Sequence, residues 1–239
     1  INSLGSCFGS TGPASVNPET GDLYRLNFPV LTIDDIAHAG HEVVKALDLK
    51  RLHAVVGASM GGGVGLLAAG EAKVDAAALV LVDMAPKTEP EGRAKIQEFM
   101  SQKPDGFDTL EEVAEAIANY QPHRKRPRNL DGLAKNVRMG ENGKYVWHWD
   151  PARRASMRAD NGYRDRLSVC ADQITLPTLL VRGGLSNVLS EEGAQSFLAQ
   201  CPHAEYVNVE NAAHMVAGDR NDIFADSVIG FLKRVAPPV

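Results

Sequence analysis

A pentapeptide, Gly57-Ala58-Ser59-Met60-Gly61, constrains what this chain can fold into more than any other feature of its sequence. It follows a short apolar run, Leu52-His53-Ala54-Val55-Val56, and leads into a segment of small apolar residues from Met60 to about Glu71. The run is brief, β-branched and not alternating, as expected of a strand buried on both faces of a parallel sheet. The segment after it suits a helix lying close against that sheet. A strand that turns directly into a helix forces the residue at the bend into a strained conformation, and small residues two before and two after it avoid collision. The spacing therefore predicts the Ser59 hydroxyl at the carboxyl end of the sheet. The amide of Met60, at the helix N-terminus, is the expected donor to a developing oxyanion.

The rest of the chain supplies a sheet for that bend to stand on. Ala76 to Val82 reads as a second buried strand ending at Asp83, Leu176 to Val181 as a third closed by Gly183-Gly184, and Glu205 to Val209 as a fourth. Helical spacing appears from Thr32 to Leu47, where Ile33, Ile36, Ala37, Val43, Val44 and Leu47 share a face and Thr32 is placed to cap. Further helical segments fall at about 190–199 and 220–233. Strands alternating with helices predict a parallel sheet with covering helices.

Two stretches depart from this pattern. The first 30 residues, rich in Gly, Ser, Thr, Pro and Asn, read as an extended loop. Between Asp83 and Cys170 the chain is charged, with helical pieces at about 91–102, 109–119 and 129–138, the triplet Trp147-His148-Trp149, and no strand of the buried type. This stretch reads as a helical lid inserted between two strands. The expected organisation is residues 1–86 as the N-terminal part of the core, 87–170 as the lid, and 171–239 as the C-terminal part of the core.

A serine hydroxyl is a poor nucleophile at neutral pH without a base, so a histidine is needed. Of the seven, His38, His41 and His53 precede the serine on a helix or strand, His123 and His148 fall in the lid, and His203 sits in a Cys-Pro-His turn. His214 follows the last strand, in a loop at the sheet edge that carries Ser59. The third partner is ambiguous. Folds that present a serine at such a bend usually supply an Asp or Glu after the strand preceding the histidine's strand, which here is the loop Arg182-Gly183-Gly184-Leu185-Ser186-Asn187, yet the residue there is Asn187. An amide can hydrogen-bond an imidazole but cannot stabilise the imidazolium, and it can hold the wrong tautomer. Asp83, ending the strand after the nucleophile helix, is the other candidate, with a structural role in the turn toward Pro86 as the alternative.

Composition narrows the partners. The 239 residues include 44% hydrophobic and 23% charged, with a net charge of −5 and no basic block, which gives no footprint for nucleic acid. No apolar run approaches the roughly 18 residues of a membrane span, and no signal peptide is visible at Ile1-Asn2-Ser3-Leu4-Gly5. Cys7, Cys170 and Cys201 lie far apart without metal-ligand spacing, which fits free thiols in a reducing, cytoplasmic setting. No metal and no cofactor is called for, and the expected partner is a small acyl substrate.

Two family resemblances appear. Residues 1 to about 62 resemble the MetX-type homoserine/serine O-acyltransferases through Asn2-Ser3-Leu4-Gly5-Ser6-Cys7, Gly9-Ser10-Thr11-Gly12-Pro13, Asn17-Pro18-Glu19-Thr20-Gly21, Phe28-Pro29 and Val55 to Gly62. From residue 63 the chain resembles lidded esterases and cofactor-free haloperoxidase-like α/β-hydrolases, through Ala78 to Pro86, Trp147-His148-Trp149-Asp150-Pro151, Leu180 to Gly184 and His214 to Asp219. Both imply the α/β-hydrolase fold, a mostly parallel sheet with flanking helices. The acyltransferases carry Asp directly after the catalytic His; here Met215 stands there. Both families place about three or four strands ahead of the point where this sequence starts. The resemblance thus implies missing N-terminal strands, through a mosaic of two parents, truncation, or replacement by the first 30 residues. The strand before Ser59 would then be an exposed apolar edge, which leaves a homodimer open.

Three functions follow. The first is a serine hydrolase of the carboxylesterase type, with Ser59 as nucleophile, His214 as base, Met60 N–H at the oxyanion and Asp83 or Asn187 orienting His214. Trp147 and Trp149 would then line an acyl pocket or form the core of the lid. The second is acyl transfer from a thioester to a homoserine or serine hydroxyl. The third is a catalytically impaired scaffold.

Overall fold

A computed structural model of the chain describes residues 32–124, 130, 132–133, 136–140, 142–147, 149 and 162–237. The loop expected over the first 30 residues and His148 lie outside the described residues, as does Cys7.

The described chain falls into two compact units, one of the described residues within 33–93 and 160–239 and the other of Thr32 with the described residues within 94–159. In the first unit the order is α1 (Ile33–Ala46), β1 (Val55–Ala58), α2 (Met60–Gly70), β2 (Leu79–Val82) and the start of α3 (Pro90–Met100). It resumes with α5 (Tyr163–Gln173), β5 (Thr178–Gly183), α6 (Glu191–Gln200), β6 (Glu205–Val209), α7 (Val216–Asp219) and α8 (Asn221–Val235). The four strands form one parallel sheet in the order β1-β2-β5-β6. The strands and helices expected in this unit are present. β1 and β2 are shorter at their starts, where Leu52 and Ala76 make only an isolated bridge.

Alternation along the central strands sends side chains into two cores. Leu79, Leu81 and Leu180 face one side and pack with Leu66, Leu67, Leu167 and Phe197, from α2, α5 and α6. Val80, Val82, Leu179 and Val181 face the other and pack with Val228 and Phe231 of α8. Every residue of β2 and β5 is buried, the signature of a strand covered on both faces. Among the described residues β1 ends the sheet, and its Val56 is 50% exposed. α5 begins inside the 87–170 stretch and runs past it to Gln173, with Leu167 and Cys170 buried in the core of this first unit.

The second unit holds α4 (Leu110–Tyr120), capped by Thr109, whose hydroxyl accepts from the Glu112 amide. It also holds an antiparallel hairpin that was not anticipated, β3 (Val137–Met139) with β4 (Tyr145–Trp147). The helix expected over 129–138 is therefore corrected at its end, where Val137 and Arg138 are strand; part of its beginning lies outside the described residues. Strands of three residues are too short to display a period, but Asn142-Gly143, with Gly143 at φ 73°, marks the turn. Trp147 and Trp149 stack with centroids 4.5 Å apart, pack with Phe99 and Phe107, and form this unit's own core. Trp149 Nε1 donates to the Met100 carbonyl at 3.1 Å.

Candidate active site

The bend at Ser59 has the geometry its sequence predicts. Ser59 links β1 to α2 at φ 50° and ψ −121°, a conformation that costs of order 1–3 kcal/mol for a non-glycine residue. Its amide donates to the Val82 carbonyl at 2.9 Å, and its own carbonyl accepts from Gly62 N–H, so the strain is held from both sides. A Cβ on Gly57 would meet the Gly61 carbonyl oxygen at 2.2 Å, which explains the small residue two before the serine. The expectation for the residue two after it is corrected: a Cβ on Gly61 would meet nothing within 4 Å among the described residues. The tight positions are one and two further on. A Cβ on Gly62 would lie 2.9 Å from the Gly57 oxygen, and one on Gly63 would lie 1.9 Å from the Tyr163 hydroxyl.

His214 reaches this bend from the loop after β6. Its Nε2 lies 2.9 Å from Ser59 Oγ, and its Nδ1 lies 2.7 Å from Asp83 Oδ2. A carboxylate only accepts, so Nδ1 carries the proton and donates to Asp83, which leaves Nε2 to accept from the Ser59 hydroxyl. The imidazole is 11% exposed and the Asp83 side chain 0%, so this contact is shielded from water, while Ser59 is half-buried.

Three loops converge to make the arrangement. Asp83 follows β2 at φ 49°, a left-handed conformation that Asp tolerates better than most residues. Its amide donates to the Val181 carbonyl at 2.7 Å. Its Oδ1 accepts from the Gly183 amide at 2.8 Å, and its Oδ2 accepts from Ser186 Oγ as well as from His214. The His214 loop is anchored by Ala213 N–H donating to Asp219 at 2.8 Å. It passes so close to β5 that a Cβ on Gly183 would lie 2.2 Å from the Ala213 oxygen.

Asn187 is not at the imidazole. It is exposed, and its carbonyl lies over Gly92 at the start of α3, where a Cβ would come within 1.9 Å of it. Of the two candidates for the orienting residue, the structure brings Asp83 to Nδ1 of His214. Sequence reasoning overlooked Ser186, which stands one residue before the position examined for an acid and touches Asp83 directly. Nothing in its local pattern separates it from an ordinary loop serine.

Met60 is the first residue of α2, so its amide belongs to the helix N-terminus that faces the Ser59 bend. Two other histidines are engaged elsewhere, His41 at the Lys73 carbonyl and His203 at the Leu176 carbonyl. Cys170 and Cys201 are free and buried, and burial raises both thiols above their ordinary range. Among the described residues there is no cluster of His, Cys, Asp and Glu suited to a metal, and no helix long and apolar enough to cross a membrane.

Residues 1–220 match the family model described as alpha/beta hydrolase fold. The chain belongs to the α/β-hydrolase fold family. Solved structures agree on the fold of this α/β-hydrolase. E-2-(acetamidomethylene)succinate hydrolase is 20% identical with a TM-score of 0.74, covering 87% of this chain and 76% of its own. An esterase from Mycobacterium tuberculosis is 23% identical with a TM-score of 0.62, covering 84% and 68%. Sequence relatives match over a segment only. L-Serine/homoserine O-acetyltransferase from Streptomyces lavendulae is 64% identical over 62 residues, which is 26% of this α/β-hydrolase and 17% of that enzyme. Serine O-succinyltransferase from Xanthomonas oryzae pv. oryzae is 63% identical over 62 residues, 26% of this chain and 16% of the relative. The match thus spans about a sixth of the length of the curated relatives.

Proposed function

We propose that the chain is a serine hydrolase that cleaves a small acyl ester through Ser59, His214 and Asp83. The observation that carries this reading is the hydrogen-bonded line from Ser59 Oγ through both nitrogens of His214 to Asp83 Oδ2, at 2.9 and 2.7 Å. In the first half-reaction Ser59 Oγ bonds to the ester carbonyl carbon while its proton passes to His214 Nε2. Asp83 stabilises the resulting imidazolium, and the amide of Met60 donates to the oxyanion. Collapse breaks the bond to the alcohol oxygen, which takes the proton from Nε2 and leaves an acyl-Ser59. Water then repeats the sequence, giving up its proton to Nε2, and releases the carboxylic acid and free Ser59.

Acyl transfer is the second reading, favoured by the 64% identity over 62 residues to an O-acetyltransferase. It uses the same acyl-Ser59, with a serine or homoserine hydroxyl in place of water. Hydrolysis ranks first because Met215, not Asp, follows His214, and because the likeness to the acyltransferases is confined to a segment.

Labelling with a fluorophosphonate tests both readings together. Wild-type protein is expected to be labelled at Ser59, and Ser59→Ala to be unlabelled; an unlabelled wild type would leave a catalytically impaired scaffold. Release of p-nitrophenol from its acetate ester, compared with consumption of acyl-CoA with and without serine or homoserine, separates hydrolysis from transfer.

A further inference from the structure

We infer that Ser186 is a positioning residue whose hydroxyl holds the Asp83 carboxylate in register with His214; the inference rests on the Ser59–His214–Asp83 reading above. Ser186 Oγ lies 2.5 Å from Asp83 Oδ2, the same oxygen that receives His214 Nδ1. Two amides donate to the Ser186 oxygen, Val188 N–H at 3.1 Å and Leu189 N–H at 3.2 Å. A serine hydroxyl has one proton and two lone pairs. With both lone pairs occupied by amides, its single proton has one remaining direction, toward the carboxylate. The donor is therefore oriented before any substrate binds.

The scaffold behind Ser186 is firm. Val188 and Leu189 are buried, the Val188 carbonyl accepts from the Glu89 amide at 2.8 Å, and the Leu189 carbonyl accepts from Arg182 Nε at 2.9 Å. Ser186 N–H donates to the Gly183 carbonyl at 2.9 Å, which closes the turn leaving β5. Gly183 N–H fixes the other carboxylate oxygen at 2.8 Å. One turn thus grips Asp83 at both oxygens, from a strand paired beside its own. The loop that the sequence suggested as the source of the acid instead contributes the hydroxyl that aims an acid presented by the neighbouring strand.

The test compares Ser186→Ala, Ser186→Cys and Ser186→Thr in the full chain. Turnover of an ester already shown to be cleaved by wild type is expected to fall about 10-fold or more in kcat for the Ala variant, with KM within about twofold, because losing a bond to a charged group disturbs His214 and not substrate binding. Thr restores the hydroxyl and most of kcat; Cys, similar in size but a weak donor, falls between. The downfield proton resonance of His214 Nδ1–H supplies a readout independent of turnover: it should shift or broaden in Ala and return in Thr. If Ala fails to fold, the Cys-to-Thr contrast in kcat and in that resonance decides. Unchanged kcat together with an unchanged resonance in the Ala or Cys variant overturns the inference. A wild type that is neither labelled nor active fails the hydrolase reading instead, and the resonance still reports whether Ser186 aims the pair.

Discussion

Asp83 and His214 stand 131 residues apart in the chain and 2.7 Å apart in space, joined by a hydrogen bond from Nδ1 to a carboxylate that is fully buried. The contact exists because β2 and β5 are parallel neighbours and β6 lies beside β5, so their carboxyl ends open at one edge of the sheet. Every loop that contributes to the site leaves from that edge.

The two candidates for the orienting residue should separate cleanly. Asp83→Asn removes the charge that stabilises the imidazolium and disturbs the tautomer, and kcat for ester cleavage should fall by about 10⁴-fold, the scale of that change in a serine protease. Asn187→Asp places a carboxylate on an exposed side chain away from His214 and should leave kcat within about twofold. Steady-state kinetics on both variants checks the pair. A rise in turnover for Asn187→Asp would reopen the assignment.

The two outer glycines of the pentapeptide should behave differently. Gly57→Ala puts a methyl group 2.2 Å from a backbone oxygen that cannot move without disturbing the bend, at a cost of about 1–3 kcal/mol or more. Gly61→Ala enters open space in the first turn of α2, where Ala is preferred to Gly by up to about 1 kcal/mol. Urea denaturation midpoints should order as Gly61→Ala at or above wild type, with Gly57→Ala well below.

Phe197 on α6 is fully buried among Leu66, Leu67, Leu180 and Leu189 in the core on one side of the sheet. Phe197→Ala should cost about 3–5 kcal/mol through lost transfer energy and the cavity left behind. A drop of under about 1 kcal/mol in the same denaturation experiment would mean that this core is not packed as described.

An ion network ties α1 to α5 across the end of α2. Arg166 donates to both oxygens of Asp34 at 2.8 Å and to Glu71 at 2.7 and 3.0 Å, while Lys73 lies 2.7 Å from Glu71. The hydrogen bond from Arg166 holds Asp34 below its ordinary range, and those from Lys73 and then Arg166 do the same for Glu71. Carboxyls depressed in the folded state contribute stability above their unfolded values, here 3.8 and 4.5, and lose it as pH falls through the folded values. Arg166→Met should therefore be less stable than wild type at pH 7, by a few tenths to about 1 kcal/mol given the exposure of these groups, and the gap should narrow below about pH 4. Denaturation curves at several pH values check the sign.

Much of the fold was legible because its signals are local. β6 is the run Glu205–Val209 expected from the residues, and α1, α2, α6 and α8 begin within about two residues of their predicted starts. The β3–β4 hairpin was missed for the opposite reason: three-residue strands show no period, and the Asn142-Gly143 turn signal lay just past the helical piece at about 129–138, inside the stretch read as a lid. Trp147 and Trp149 could equally have been pocket or core residues on sequence grounds; stacking at 4.5 Å puts them in the core of their own unit.

Local sterics and periodicity alone led from the residues to a buried parallel sheet, a strained serine at a strand–helix bend and a histidine in the final loop. These depend on neighbours within a few positions, so a linear reading reaches them. The approach of Asp83, and not Asn187, to His214 and the contact of the Ser186 hydroxyl with the Asp83 carboxylate depend on strand register and on backbone segments that the chain brings together from 100 or more residues away. A hydrogen bond is decided by a few tenths of an ångström, and only the packed sheet sets distances on that scale.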